Sequence, residues 1–197
     1  MKVSKEQMAE NRERILDTAA QLFRERGFDG IGVADLMKSA GLTHGGFYGH
    51  FASKDDLMAQ ATARALARLQ AHWSDLARQT LARDGDPLAV IETTYLSARH
   101  RDAPGQGCLL AALGADAARQ GPGVRAAVTD GVRSMIDGLA TLMPGRSKAV
   151  KRQRALADYA SLVGAMVLAR AVDDPALSDE ILHATAAALR LPDAASQ

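Results

Sequence analysis

Apolar side chains recur at helical spacing along almost the whole chain, and this pattern constrains the fold more than any other feature. In residues 4–26, one helical stripe collects Ile15, Leu16, Ala19, Ala20, Leu22 and Phe23. Aromatic residues make up only 4% of the chain although 47% of it is hydrophobic, which suits close helix packing better than strands. We therefore predict an all-α protein of about nine helices.

The ends of these helices are predicted from glycine, proline and capping residues. Gly27 and Gly41 each follow an apolar segment as a stop, Thr43 is a candidate cap, and Pro87 can begin a helix. The segment after Thr43 has Phe47 and Phe51 on its apolar face. The expected helices are 4–26, 33–40, 43–51, 53–81, 88–101, 108–119, 124–143, 148–172 and 176–190.

Cysteine content, hydropathy and charge narrow the class of protein. With Cys108 alone, no disulfide can form within the chain, and no run approaches the roughly 20 apolar residues that span a bilayer. We expect a soluble cytoplasmic protein. The net charge is +1, and residues 1–60 carry eight Lys/Arg against nine Asp/Glu. A nucleic-acid surface here must therefore depend on where a few cations lie.

Two short helical segments within residues 33–51 are joined by a glycine turn and backed by the first helix. This is the plan of a helix-turn-helix, whose second helix enters the major groove of DNA. The stretch that follows the turn, GLTHGGFYGHFASKDDL at 41–57, makes the pattern specific. From Arg14 to Leu57 the sequence resembles the TetR family of one-component regulators.

The resemblance implies a helix-turn-helix DNA-binding domain at 1–53 and a ligand-binding and dimerisation domain at 54–197. It implies a repressor that binds a palindromic operator as a homodimer and is released by a small-molecule inducer, with no cofactor and no membrane partner. In that family Phe47 and Phe51 match core positions. The implied DNA-binding residues are Thr43 and His44 near base edges, Gly45, and Tyr48, His50 and Lys54 at phosphates.

Glycine marks two departures from the family pattern. Gly32 stands where a hydroxyl residue often caps the second helix, so we expect weaker anchoring to phosphate. Gly45, Gly46 and Gly49 crowd the recognition helix, and each costs roughly 1 kcal/mol of helix stability relative to alanine. The helix is therefore expected to be soft until it meets DNA.

The apolar stripes of the last two helices are wide enough for a two-fold four-helix interface, as the resemblance also implies. Packing within the chain is the alternative explanation of the same stripes. The dimer candidates are Leu156, Tyr159, Val163, Val167, Leu177, Ile181, Thr185 and Ala188.

The inducer pocket should be apolar with a few polar groups, and several of its candidates could equally be core residues. They are Trp73, Tyr95, His100, Cys108, Leu109, Leu113, Met135, Leu139, Met166 and Arg170. Cys108 follows a glycine-rich loop at a helix start, where a thiolate is favoured, so it is a candidate sensor of electrophiles. A small buried residue that fills a helix junction is the alternative for Cys108.

Two other classes of function remain open. A small helical enzyme could use Cys108 as a thiol nucleophile with His100 as its base, although a third group is not recognisable. The sequence has no metal-ligand cluster, no GxGxxG motif and no Walker loop. A helical interaction module without affinity for DNA is the second alternative, since the N-terminal part is nearly neutral.

Overall fold

The computed structural model describes residues 4–190, and in that range the protein is built from nine α-helices and has no strand. The all-α prediction is confirmed. The helices are α1 (Lys5–Arg26), α2 (Val33–Ser39), α3 (Lys54–Leu81), α4 (Pro87–Tyr95), α5 (Ala98–Asp102), α6 (Leu109–Ala117), α7 (Pro122–Leu142), α8 (Lys148–Ala171) and α9 (Pro175–Leu189). Short 3₁₀ helices cover His44–Gly49 and Pro104–Gln106. No helix in residues 4–190 has the length and apolarity needed to cross a bilayer.

Capping residues set most of the helix ends as the sequence indicates. Ser4 Oγ accepts from the Gln7 backbone N–H at 3.1 Å, and Gly27 ends α1 with a φ of 79°. Pro87 begins α4 as predicted, behind an Asp86 carboxylate that accepts from the backbone.

The predicted helix 88–101 is interrupted, and that prediction was wrong. Leu96 closes α4 by donating its N–H to Glu92 O at 2.8 Å. Ser97 then turns extended, with a ψ of 150°, and its Oγ accepts from His100 N–H at 3.2 Å to cap α5. A serine that can satisfy a backbone donor in this way offers an alternative to a continuous helix.

The chain folds into two compact units, and the first holds the described residues up to Arg68 together with Pro104–Val132. Arg64 bridges α3 to α1 through Glu13 and Asp17. Although burial raises it, the pKa of Asp17 is held below its usual value by Arg64 and Arg68. These ion pairs fix α3 along α1.

In the first unit, the backbone at two glycines lies close to side chains of other helices. Arg24 Nε donates to Gly105 O at 2.8 Å, which ties the 3₁₀ turn before α6 to the end of α1. A Cβ at Gly105 would lie 2.9 Å from Glu25 Cδ, and one at Gly131 would lie 2.7 Å from Leu66 Cβ. Gly131 therefore needs glycine to keep this packing, whereas the contact at Gly105 involves the flexible end of the exposed Glu25 side chain, which can move aside.

The second unit comprises Leu69–Ala103 and the described residues from Arg133 onward. In this unit α8 packs along α9, and Ser178 Oγ of α9 donates to Ala169 O of α8 at 2.7 Å. Arg101 on α5 donates to Ser178 Oγ at 3.0 Å and to Asp179 Oδ1 at 2.6 Å. The short helix α5 is thereby joined to the pair.

Candidate functional site

The turn after α2 directs the chain into the segment that the sequence singles out. Gly41 has a φ of 70°, its N–H donates to Lys38 O at 3.0 Å, and Leu42 N–H donates to Met37 O at 2.9 Å. This pair of bonds is a Schellman motif, which needs a left-handed residue and so favours glycine. The predicted stop at Gly41 is confirmed.

We call Thr43–Lys54 the recognition segment, and its helical part is a 3₁₀ helix. Gly46 N–H donates to Thr43 O at 3.1 Å and His50 N–H to Phe47 O at 2.9 Å, both across three residues. The Thr43 side chain makes no cap hydrogen bond. The predicted helix after Thr43 is therefore present, with Thr43 in the N-cap position, but it is 3₁₀ and not α, because the glycines here lower the preference for an α-helix.

Two phenylalanines hold the inner face of the recognition segment. Phe47 and Phe51 are 1% and 2% exposed, and their ring centroids lie 5.7 Å apart. The Arg12 guanidinium of α1 lies 5.0 Å from the centroid of the Phe51 ring, within cation–π range. The predicted core side of the segment is confirmed.

The outer face presents side chains that donate hydrogen bonds. Tyr48 is 72% exposed, and its ring stands edge-on to Phe47 with the centroids 5.2 Å apart. Thr43 and His44 are exposed, while His50 and Lys54 are half-buried. Phenol, imidazole, hydroxyl and ammonium groups on one short segment can all donate to the oxygens of an anionic polymer.

Reciprocal capping fixes the residue at which α3 begins. Asp56 N–H donates to Ser53 Oγ at 3.1 Å, and Ala52 N–H donates to Asp56 Oδ2 at 3.1 Å. Gln60 Nε2 donates to the same carboxylate at 2.6 Å. The hydrogen bond from Gln60, followed by that from Ala52, lowers the pKa of Asp56. These bonds hold the backbone at Lys54, the first residue of α3, in place.

Gly45 and Gly49 leave the outer backbone of the recognition segment open. Gly45 is exposed, and so is Gly49. A Cβ at either position would meet no heavy atom within 4 Å. The bare peptide groups can therefore approach a flat or grooved partner closely.

A cavity of about 350 Å³ lies within the second unit, between α3, α4 and α7. Of the predicted pocket residues, Trp73, Met135 and Leu139 line it. The remaining lining residues, which sequence reasoning missed, are Gln70, Ser74, Ala77, Arg78, Leu81, Ile91, Gly138, Thr141 and Leu142. On α3 they continue the helical face of Trp73 at three- and four-residue spacing, and that spacing could have found them.

Four other predicted pocket residues lie elsewhere in the second unit. Tyr95 and Met166 are buried. His100 Nδ1 donates to Tyr95 O at 2.6 Å, and burial lowers the pKa of His100, which favours neutral imidazole. Arg170 donates to the backbone oxygens of His100 and Arg101, at 2.6 and 3.0 Å. His100 and Arg170 thus connect α5 to the helices beside it.

Cys108 is the N-cap residue of α6, at the helix start as predicted, and the structure buries it completely. It lies in the first unit together with Leu109 and Leu113, which are also buried. Burial is what the packing explanation of Cys108 requires. The sensing of electrophiles stays a prediction.

The candidate dimer face is partly apolar and exposed. Leu156, Val167 and Leu177 are 45%, 42% and 42% exposed. Leu168, which the sequence analysis missed, is 56% exposed. Of the other candidates, Ala188 is exposed, Val163, Ile181 and Thr185 are half-buried, and Tyr159 is buried within the unit.

Comparison with known proteins identifies what this chain is similar to. Residues 15–61 match the family model described as bacterial regulatory proteins, tetR family. The chain is 32% identical to the HTH-type transcriptional regulator AcrR of Shigella flexneri over 89 residues, which are 45% of this chain and 40% of that protein. It is 28% identical to the HTH-type transcriptional repressor NemR of Escherichia coli over 127 residues, 64% of each chain. The matched regions therefore span less than two thirds of these curated relatives.

The fold likeness extends further than the sequence matches. The crystal structure of E. coli NemR in its reduced form superposes with a TM-score of 0.76 at 25% identity, covering 92% of this chain and 96% of that one. These relatives are transcriptional regulators, and the comparisons give the enzyme alternative no support.

Proposed function

Since this chain belongs to the tetR family of bacterial regulatory proteins, we propose that it binds a double-stranded DNA operator and represses transcription until a small molecule releases it. The observation that carries the proposal is the outer face of the recognition segment. Tyr48 stands 72% exposed on a segment that Phe47 and Phe51 anchor from behind. A large exposed ring flanked by hydrogen-bond donors is typical of a surface that a partner covers.

Each residue of the recognition segment has a proposed role at the duplex. Tyr48, His50 and Lys54 donate to phosphate oxygens, which sets position and affinity. Thr43 and His44 reach base edges, which sets sequence choice. Gly45 lets the backbone approach the groove. Residues 1–53 form the DNA-binding part, and residues 54–197 the part for the inducer and the dimer.

A second copy of the chain supplies the other recognition segment. The apolar face of α8 and α9, with Leu156, Val167, Leu168 and Leu177 exposed, supports a homodimer through these helices. Two segments about 34–36 Å apart enter successive major grooves of a palindromic operator. The protein works in the cytoplasm, where the chromosome lies.

Release follows from a difference in affinity between two conformations. The cavity between α3, α4 and α7 is the proposed inducer site. The helix α3 begins at Lys54 in the recognition segment and also carries Trp73 on the cavity wall. An inducer that prefers the conformation with the wrong spacing between recognition segments shifts the population away from DNA.

Binding to a duplex selected from a randomised pool tests the proposal by fluorescence anisotropy at several salt concentrations. Tyr48→Ala and Lys54→Ala should both weaken binding to all duplexes. Lys54→Ala should also lower the salt slope by about one, because its ammonium neutralises a phosphate whereas the Tyr48 phenol carries no charge. Thr43→Ala should relax the choice of base, at about 1–3 kcal/mol of discrimination. Lys148→Ala, an exposed lysine at the start of α8, is the control of equal charge and should bind as the wild type does.

Sedimentation equilibrium tests the dimer. Val167→Asp and Leu177→Asp should shift the protein towards monomer, whereas Ala126→Asp on an exposed position of α7 should not. Wild-type protein that is indifferent to every duplex offered, or Tyr48→Ala and Lys54→Ala variants with unchanged affinity, would remove the basis of the proposal.

A further inference from the structure

The walls of the cavity between α3, α4 and α7 are mostly apolar, and several of the apolar residues that form them are well buried. Trp73, Ile91, Met135 and Leu139 are 9%, 3%, 4% and 6% exposed. An indole face and a thioether accept flat rings readily, because aromatic and sulfur–aromatic contacts add to the burial of surface. Ring compounds are therefore well suited to these walls.

Hydrogen bonds within the second unit decide which polar groups the cavity offers. Gln70 Oε1 already accepts from Ser134 Oγ at 2.6 Å, so the NH₂ of its amide is what remains for a ligand. Thr141 Oγ1 donates to Gly138 O at 2.7 Å, which uses the only proton of that hydroxyl. The polar edge at Gln70 is therefore a donor, and it favours ligands that carry an acceptor.

Charge selects further among ligands. Among residues 4–190, no carboxylate lines the cavity, and Arg78 is the single charged residue that does. Arg78 pairs with Asp75, and both side chains are largely exposed, at 76% and 59%. A cation entering this cavity would lose its hydration and find no counter-charge, a large cost.

We propose that the cavity takes a compact uncharged compound of one or two rings that carries a carbonyl or similar hydrogen-bond acceptor for Gln70, and that it excludes ammonium compounds. A volume of about 350 Å³ lies near the lower end of ligand sites, which limits the size of the occupant. The inference rests on the proposed function only in taking this compound to be the inducer.

Three naphthalene compounds of similar shape test the ligand class directly on the purified protein. The probes are 2-acetylnaphthalene, which has an acceptor, 2-ethylnaphthalene, which lacks it, and 2-naphthylmethylammonium, which is a cation. Trp73 is the only tryptophan of the chain and lines the cavity, so its emission reports entry, and calorimetry gives affinity. We expect the ketone to bind most tightly and the cation not measurably.

Two variants locate the binding. A Cβ at Gly138, on the cavity wall, would meet no heavy atom within 4 Å, so Gly138→Leu can place its side chain in the open volume and should abolish binding. Gly114→Leu is the matched control, a helical glycine with open space that does not line the cavity. Gln70→Leu should lower the affinity for 2-acetylnaphthalene roughly tenfold and leave the affinity for 2-ethylnaphthalene nearly unchanged.

The outcomes separate the ligand class from the proposed function. Failure of all three probes to bind, equal binding of the cation, or ketone binding that survives Gly138→Leu would overturn the ligand class. Ketone binding that Gly138→Leu removes supports the class even if operator affinity does not respond. In that last case the role of the cavity in induction fails, whereas the chemistry of its ligand stands.

Discussion

Gly131 should tolerate no side chain, because α7 passes directly over Leu66 of α3 within the first unit. A Cβ built on Gly131 would lie 2.7 Å from Leu66 Cβ and 3.0 Å from Leu66 Cγ. Carbon atoms prefer separations of about 3.5–4.0 Å, so Gly131→Ala requires a shift of about 1 Å. Leu66 is 2% exposed, and the atoms in the way are next to its backbone, so a simple rotamer change cannot relieve the contact.

The magnitude of the Gly131→Ala effect is a difference of two contributions. Overpacking of a core typically costs about 1–3 kcal/mol. Replacement of a helical glycine by alanine returns up to about 1 kcal/mol of helix stability. The net expectation is a loss of about 1–2 kcal/mol in the free energy of unfolding. For a chain of this length the loss corresponds to a Tm lower by about 2–8 °C.

Urea denaturation followed by circular dichroism, at one protein concentration, measures the Gly131→Ala effect. Gly114→Ala in α6 is the control, because its Cβ would meet no heavy atom within 4 Å and only the gain in helix preference should remain. Leu66→Ala combined with Gly131→Ala should cost less than the sum of the single changes, since the contacts with Leu66 Cγ and Cδ1 disappear and only the one with the Cβ of residue 66 remains. If Gly131→Ala were as stabilising as Gly114→Ala, the close packing of α7 on α3 would be refuted.

Three further substitutions test features of single residues. Thr62→Val should raise the free energy of unfolding by about 1 kcal/mol, because Thr62 Oγ1 is buried and has no hydrogen-bond partner in the described part of the chain. Equilibrium unfolding measures this gain, and the control Thr62→Ala should not reach it. Burial, followed by the nearby charge of Asp158, raises the pKa of Glu92 in the folded protein. The free energy of unfolding therefore falls as pH rises from the unfolded pKa of about 4.5 through the folded pKa, because the carboxylate is less favourable in the folded state. Glu92→Gln should therefore stabilise the protein at pH near 7 and give no such gain at pH about 4, as urea titrations at the two pH values would reveal. Gly49→Ala, with open space around its Cβ, should add about 0.4–1 kcal/mol to thermal stability, and a loss would mean that the turn needs glycine.

Local signals predict most of the fold because helix ends are decided within a few residues. Gly27 and Gly41 stop helices through left-handed backbone, and Pro87 begins α4 behind an aspartate cap. The break at Ser97 was not predicted, because Leu96 is apolar and the helical spacing of apolar residues continues through it. Whether a serine caps a new helix or sits within a continuous one depends on competing hydrogen bonds that sequence periodicity does not record.

The two candidate sites differ in the same way: the faces of the recognition segment follow from local sequence, whereas the cavity follows from tertiary packing. The inner and outer faces of the recognition segment were predictable because Phe47, Tyr48 and Phe51 alternate between core and solvent within one turn or two. The cavity was predicted at Trp73, Met135 and Leu139 but not at Ile91 or Gly138. Which side of α7 faces a void is set by packing with α3 and α4, which a single helix pattern does not contain.

The recognition segment keeps its shape because side-chain anchoring outweighs the low helix preference of its glycines. Three glycines weaken an α-helix by about 3 kcal/mol in total. Burial of Phe47 and Phe51 stabilises the segment by about 1.5–3 kcal/mol each, which matches or exceeds that loss without requiring α-helical hydrogen bonds. The backbone is therefore free to adopt the tighter 3₁₀ form while Tyr48 stays outside. It follows that loss of either anchor should disorder the outer face of the recognition segment, whereas alanine at the open position Gly49 should leave that face in place.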